Sequence, residues 1–248
     1  MRCVRVVALE GPLTADPPKA ARDGQLQDHP LLQDHPVALR VALGLWTFSA
    51  LLFLVVGVPA LRESVQTVDD AVHRWVVSAE WGPAVLAAQV LDFIGTAWVV
   101  WPAMAAVAGW LAWRRRWVAF SFWTVAMFIS QLMIGPVKDF YERPRPTMSL
   151  AETSSWSFPS GHSVVGAAVA IAAVIVLVPA GSKRRNLEMA AAVFAIVMAL
   201  SRVYLRAHWL SDVGAGAALG AGIAIGTAAL IHRIDDRRHR RDHQAHVR

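Results

Sequence analysis

Three short polar clusters carry the residue types that could do chemistry in this chain. They are Lys138-Asp-Phe-Tyr-Glu-Arg143-Pro-Arg145-Pro146, Pro159-Ser160-Gly161-His162, and Ser201-Arg202 followed by His208 and Asp212. Each stands at the end of a long apolar run, where ionisable groups are costly to keep and by default mark a functional site. Together they offer cations, a hydroxyl, a glycine and two histidines, which is what holding a phosphate and breaking a bond to it requires. Arg145 can give two parallel hydrogen bonds to phosphoryl oxygens, and Lys138 a point charge. Pro144 and Pro146 keep the chain between them extended and stop a helix from continuing. A lone cation at such a place is more often a snorkelling side chain. Arg143 and Arg206 fit that simpler description.

Pro159-Ser160-Gly161-His162 has the form of a helix opening. Ser160 is suited to cap it, and Gly161 lets the backbone come close to an anion. The free N–H groups and dipole of the helix that follows favour phosphate. His208 and Asp212 are four apart, so they share a helix face if the turn before the last apolar run is helical. A carboxylate on one imidazole nitrogen fixes the tautomer and leaves the other nitrogen free to attack. The plain alternative is that Asp212 only caps a helix. His162 is a second histidine, available for proton transfer to a leaving oxygen. The acids Asp139, Glu142, Glu152 and Asp212 have no spacing that suits a two-metal site, and neither a Walker loop nor a nucleophile elbow is present. A metal-independent route through a covalent phosphohistidine, with no cofactor, is the economical expectation.

The elements that must position these clusters are long apolar helices. Of the 248 residues 56% are hydrophobic and 17% charged, the mean hydropathy is +0.42, and soluble domains usually carry about 25% charged residues. Eleven Trp against two Tyr suit the water–lipid boundary. The single cysteine, Cys3, excludes an internal disulfide and a multi-cysteine metal site. A net charge of +6 raises nucleic acid as a partner, but the cations sit in short clusters between apolar runs and no reading motif accompanies them.

Six runs are long enough to span a bilayer: 41–61, 92–113, 118–137, 163–179, 187–204 and 213–231. The second can start as early as Ala84, which makes it overlong and points to tilt or a separate interfacial segment; Pro102 can kink it. The expected fold class is therefore all-α, a polytopic bundle of six transmembrane helices. Arg114-Arg115-Arg116, Lys183-Arg184-Arg185 and the C-terminal arginines fall on one side, cytoplasmic by the positive-inside rule, and both termini lie there. The stretch from Arg62 to Gly82 reads as an outer loop. All three polar clusters then fall on the opposite, outward face. Residues 1–38 read as a disordered polar tail with a duplicated Gln-Asp-His-Pro, 39–232 as the membrane domain and 233–248 as a basic tail.

In order and spacing the three clusters closely resemble the type-2 phosphatidic acid phosphatase superfamily. Its pattern, Lys-(six)-Arg-Pro, Pro-Ser-Gly-His and Ser-Arg-(five)-His-(three)-Asp, is matched by Lys138 to Arg145-Pro146, by Pro159 to His162, and by Ser201-Arg202 to His208 and Asp212, with no departure at a motif position. The resemblance implies that His208 is the nucleophile, oriented by Asp212, and that His162 is the general acid. It implies that Lys138, Arg145, Ser160, Gly161 and Arg202 bind the phosphoryl oxygens. The expected protein is a lipid phosphatase of the plasma (inner) membrane with an outward or periplasmic site. Undecaprenyl diphosphate is the first choice of substrate, with phosphatidic acid and phosphatidylglycerol phosphate next. A phosphotransferase passing the same phosphohistidine to an acceptor, a non-catalytic lipid-binding relative, and a vanadate-dependent haloperoxidase are the other readings; the last is soluble, which the apolar runs oppose.

Overall fold

The computed structural model describes residues 35–179 and 181–246. Most of the expected N-terminal tail, with the first Gln-Asp-His-Pro copy, lies outside them. Among the described residues there are nine helices and no strand. These are α1 (His35–Gly57), α2 (Pro59–Ser78), α3 (Gly82–Ile94), α4 (Ala97–Trp113), α5 (Trp117–Leu132), α6 (Ile134–Tyr141), α7 (Gly161–Leu177), α8 (Ser182–Tyr204) and α9 (Leu210–His246). The all-α expectation holds for this part of the chain.

Four stretches are long and apolar enough to cross a membrane: Pro36–Gly57, Trp117–Tyr141, Ser182–Tyr204 and Leu210–Asp235. α3 and α4 together make a fifth, broken by a bend of 50°. The overlong second run is thus two helices, parted at Gly95-Thr96 and not at Pro102, which sits within α4. α7 is apolar but only 17 residues long.

Two expectations from the sequence are corrected. The first run does not continue to residue 61, because Pro59 opens a new helix as its first residue and α1 ends at Gly57. The segment 62–82 is not a loop but mostly α2. Its polar side chains are spaced along a helix, as in the bond of 2.8 Å from Gln66 to Asp70, and its inner face buries Asp69 and Val76.

α9 is the central element and packs most extensively on α1 and α7. Its small residues allow close contact: a Cβ on Gly220 would come within 2.0 Å of the Val164 carbonyl oxygen in α7. Packing of this kind, rather than hydrophobic burial, holds helices together in lipid. The largest core cluster joins α4, α5, α7 and α9 through Leu111, Phe122, Trp123, Ala168, Ile175 and Ala224. Leu51, Leu54, Leu86, Phe93 and Phe128 face outward, as lipid-facing residues must.

The two ends of the bundle differ. Arg116 donates to the Val176 carbonyl at 2.7 Å, so the arginine turn between α4 and α5 lies beside the C-terminus of α7. The N-terminus of α7, the C-termini of α6 and α8 and the start of α9 lie at the other end, with all three polar clusters.

Candidate active site

The segment 142–160 carries half of the site and is fixed by its surroundings. Glu142 closes α6 in the left-handed region (φ 42°, ψ 36°), reversing the chain. Tyr141 donates to the Phe53 carbonyl at 2.8 Å, and the Phe53 ring packs edge to face with those of Tyr141 and Phe158. Ser157 N donates to the Arg143 carbonyl at 2.8 Å and Leu150 N to the Leu205 carbonyl at 2.9 Å. Trp209 Nε1 donates to the Pro144 carbonyl at 2.9 Å. The loop is therefore laced to itself and to the 205–209 turn.

That turn is not helical, contrary to the simplest way of pairing His208 with Asp212. His208 sits on a bend, and α9 starts at Leu210. The pair still meets, with His208 Nδ1 3.5 Å from Asp212 Oδ2. Asp212 also accepts from Trp209 N at 2.9 Å, the backward reach of an N3 acid onto its own N-cap. Capping and orientation of His208 are thus one geometry rather than alternatives.

Arg145 Nη1 lies 3.1 Å from His208 Nε2. An arginine can only donate, so in this contact Nε2 carries the lone pair and the ring proton sits on Nδ1, toward Asp212. His208 is 3% exposed. Burial pushes its pKa down to about 4, helped by the nearby Arg145 and Lys138 and opposed by Asp212. Burial and the charge of Arg202 also lower the pKa of Arg145, which leaves it a cation at any working pH. Arg145 donates to the carbonyls of Ser155 (2.6 Å), Trp156 (3.1 Å) and Ala207 (2.6 Å). Lys138 Nζ reaches the same strip, at Ser155 Oγ (3.2 Å) and the Trp156 carbonyl.

Ser160 caps α7, its Oγ accepting from Ser163 N at 3.4 Å, and its own N–H donates to the Asp212 carbonyl at 3.2 Å. Gly161 is the first residue of α7. Arg202 is buried, and its carbonyl accepts from Ala207 N (3.0 Å) and His208 N (3.3 Å). Lys138, Arg145, Ser160, Gly161, Arg202, His208 and Asp212 thus gather at one end of the bundle. His162 joins them indirectly: its Nε2 and Arg202 Nη1 both meet Asp92 Oδ1.

Sequence reasoning missed several participants. Arg143 is no snorkelling cation. It is 2% exposed and donates to Asp212 Oδ1 (2.6 Å), Ser211 Oγ (2.7 Å), Asp69 Oδ2 (2.8 Å) and Gln66 Oε1 (2.7 Å). Asp69 in turn accepts from Ser211 N at 2.9 Å. Ser157 Oγ donates to Asp212 Oδ2. Arg206 is also buried and pairs with Glu80. An unpaired buried charge is far costlier than a paired one, so Asp69 and Asp212 hold Arg143 in place as much as it holds them. The available signal was an acid within a helical charge pattern, which does not reveal its distant partner. Among the described residues no group of three His, Cys, Asp or Glu side chains is arranged to ligate a metal.

Comparisons with known proteins give the family. A family model described as the PAP2 superfamily matches residues 122–236. Phosphatidylglycerophosphatase B of Bacillus subtilis (strain 168) is 30% identical over 178 residues, covering 68% of this chain and 86% of that protein. A crystal structure described as the first transmembrane PAP2 type phosphatidylglycerolphosphate phosphatase, from Bacillus subtilis, matches with a TM-score of 0.67 at 25% identity, over 79% of this chain and 96% of that one. Aquifex aeolicus LpxE matches with a TM-score of 0.52 at 19% identity, over 62% and 91% of the two chains, a likeness of fold alone. The chain belongs to the PAP2 superfamily. Within it, this is a membrane lipid phosphatase of the PAP2 type.

Proposed function

We propose that this protein hydrolyses the phosphomonoester or diphosphate of a membrane lipid through a phosphohistidine on His208, at the outer face of the plasma membrane. The observation that carries the reading is the His208 ring itself, buried and neutral, with Nε2 toward Arg145 and Nδ1 toward Asp212. Lys138, Arg145, Ser160, Gly161 and Arg202 bind the phosphoryl oxygens and stabilise the charge that spreads over them in the transition state. Nε2 attacks phosphorus as the bond to the leaving oxygen breaks. That oxygen takes a proton from protonated His162, and Asp212 offsets the positive charge formed on the His208 ring. Water then attacks phosphorus, the P–N bond breaks, its electron pair returns to Nε2, and neutral His162 takes the water proton.

Both Bacillus subtilis relatives are described as phosphatases of phosphatidylglycerol phosphate. That moves this lipid ahead of undecaprenyl diphosphate, the sequence's first choice, with phosphatidic acid also retained. A six-span bundle over residues 39–232, with both termini cytoplasmic, is part of the same reading. It counts α7 as a span: at 1.5 Å per residue this helix is about 26 Å long, close to a hydrocarbon core of about 30 Å.

The test is phosphate release by the full-length protein in detergent on these three lipids, for wild type and His208→Ala, with and without chelator. Release that needs His208 and survives chelation is expected. Loss of release on chelation, restored by a divalent ion, would overturn the metal-free route, and transfer of phosphate to an added alcohol without free phosphate would favour the phosphotransferase.

A further inference from the structure

α3 is apolar along its length except for Gln89 and one carboxylate, Asp92, near its C-terminal end. A carboxylate there is retained at a cost unless it is paired. Two groups from distant parts of the chain pair it. Arg202 Nη1, from the end of α8, meets Asp92 Oδ1, and His162 Nε2, from the first turn of α7, lies 3.2 Å from that same oxygen. His162 Nε2 is also 3.2 Å from the Asp92 backbone carbonyl. Both neighbours of Nε2 are acceptors, so Nε2 carries a proton and Nδ1 is the ring nitrogen left to exchange one.

Three residues on, Gly95 ends α3 at the break before α4. Its backbone is in the ordinary right-handed region (φ −81°, ψ −1°), which any residue adopts. Glycine is needed there for space. A Cβ would stand 2.2 Å from His162 Cδ2 and 3.0 Å from its Nε2, so the Cδ2 edge of the ring comes up against a backbone that has no side chain in the way.

We propose that the break between α3 and α4 is a seat for His162, in which Asp92 and Gly95 are positioning residues that aim its Nδ1 at the leaving oxygen and tie it to Arg202. The inference rests on His162 being the general acid and deepens that reading. Asp92 supplies the negative charge beside the imidazolium that gives up its Nδ1 proton. It also holds in one place the group that protonates the leaving oxygen and a group that grips the phosphoryl oxygens. A reacting pair misplaced by about 1 Å can lose about 10²-fold in rate. A bend in a membrane helix is tolerated where protein covers the freed backbone, and here the Asp92 carbonyl is covered by the ring that it positions.

A general acid matters in proportion to how poor the leaving group is, which separates this role from a structural one. The experiment compares a single-chain alkyl phosphate, whose alcohol needs a proton, with a nitrophenyl phosphate carrying a chain of matched length, whose phenolate leaves without one. Wild type, His162→Ala, Asp92→Asn, Gly95→Ala and His208→Ala are assayed as full-length protein in detergent. His162→Ala is expected to lose about 10²–10⁴-fold in the single-turnover rate of alcohol release from the alkyl ester and little in that of nitrophenol release from the aryl ester, a step that precedes hydrolysis of the phosphohistidine. Asp92→Asn and Gly95→Ala are expected to repeat that selectivity with losses of about tenfold or more on the alkyl ester. Asp92→Asn should also raise KM for both esters, because Arg202 loses its partner, whereas Gly95→Ala leaves that pair alone. Single-turnover release of nitrophenol certifies that the His162, Asp92 and Gly95 variants are folded, and His208→Ala is the inactive control for both esters. If His162→Ala is selective and the other two lose both esters equally, or neither, the seat is wrong and the general acid stands. If His162→Ala is itself unselective, or wild type cleaves neither ester, the underlying reading falls first.

Discussion

Asp212 shows how one side chain serves fold and site together. Its carboxylate receives the N-cap amide of Trp209, the Ser157 hydroxyl and the Arg143 guanidinium, and one of its oxygens faces His208 Nδ1. The neutral, buried His208 follows from that enclosure. Its pKa lies near 4 in the folded chain against about 6.5 for a free imidazole. The unfolded chain therefore binds the proton more tightly, and His208 withdraws stability as pH falls from about 6.5 toward 4. In histidine-labelled protein in micelles, the NMR signal that disappears in His208→Ala is expected to stay unchanged from pH 8 to 5. A midpoint near 6.5 would contradict the burial. The types and spacing of His162, His208, Asp212, Lys138, Arg145 and Arg202 were legible in the sequence because each sits in a short local pattern. Asp69, Asp92 and Gly95 were not, because what makes each of them matter lies far along the chain: Arg143 is 74 residues from Asp69, and Arg202 is 110 from Asp92.

At the scale of elements, the apolar runs gave away the helices but not where they break. Gly95-Thr96 parts a run with no change in hydropathy, and Pro59 opens a helix where the apolar character simply continues. α2 was hidden for the opposite reason: its charges suit a loop by composition and a helix by spacing. The small residues of α9 were visible, and their use was not. Gly220 lets α9 press onto the backbone of α7, which carries Ser160 and His162 at its start. Gly220→Ala is expected to cost about 1–3 kcal/mol through overpacking, read as a lower Tm in detergent. Gly44→Ala, where an added Cβ meets nothing within 4 Å, should leave Tm unchanged or raise it, since alanine is the better helix former. Equal losses in the two would show that α7–α9 contact does not depend on this glycine.

For the whole molecule, the arginine turn between α4 and α5 and the chemistry lie at opposite ends. Arg114, Arg115 and Arg116 sit beside the C-terminus of α7, flanked by the exposed Trp113 and Trp117, while Trp75 and Trp81 stand out near the site end. Such belts mark the two interfaces of a spanning protein. The proposed sidedness is tested by replacing Cys3 with serine and introducing Glu152→Cys in the loop over the site. Labelling of intact cells by an impermeant thiol reagent is expected, and labelling only after lysis would reverse the orientation. The central claim is that His208 releases phosphate from a membrane lipid. The most direct measurement is free phosphate produced from phosphatidylglycerol phosphate by the purified protein. Steady release by wild type, reduced by about 10⁴-fold or more in His208→Ala, is the expected result. Release that survives the loss of His208 would contradict it.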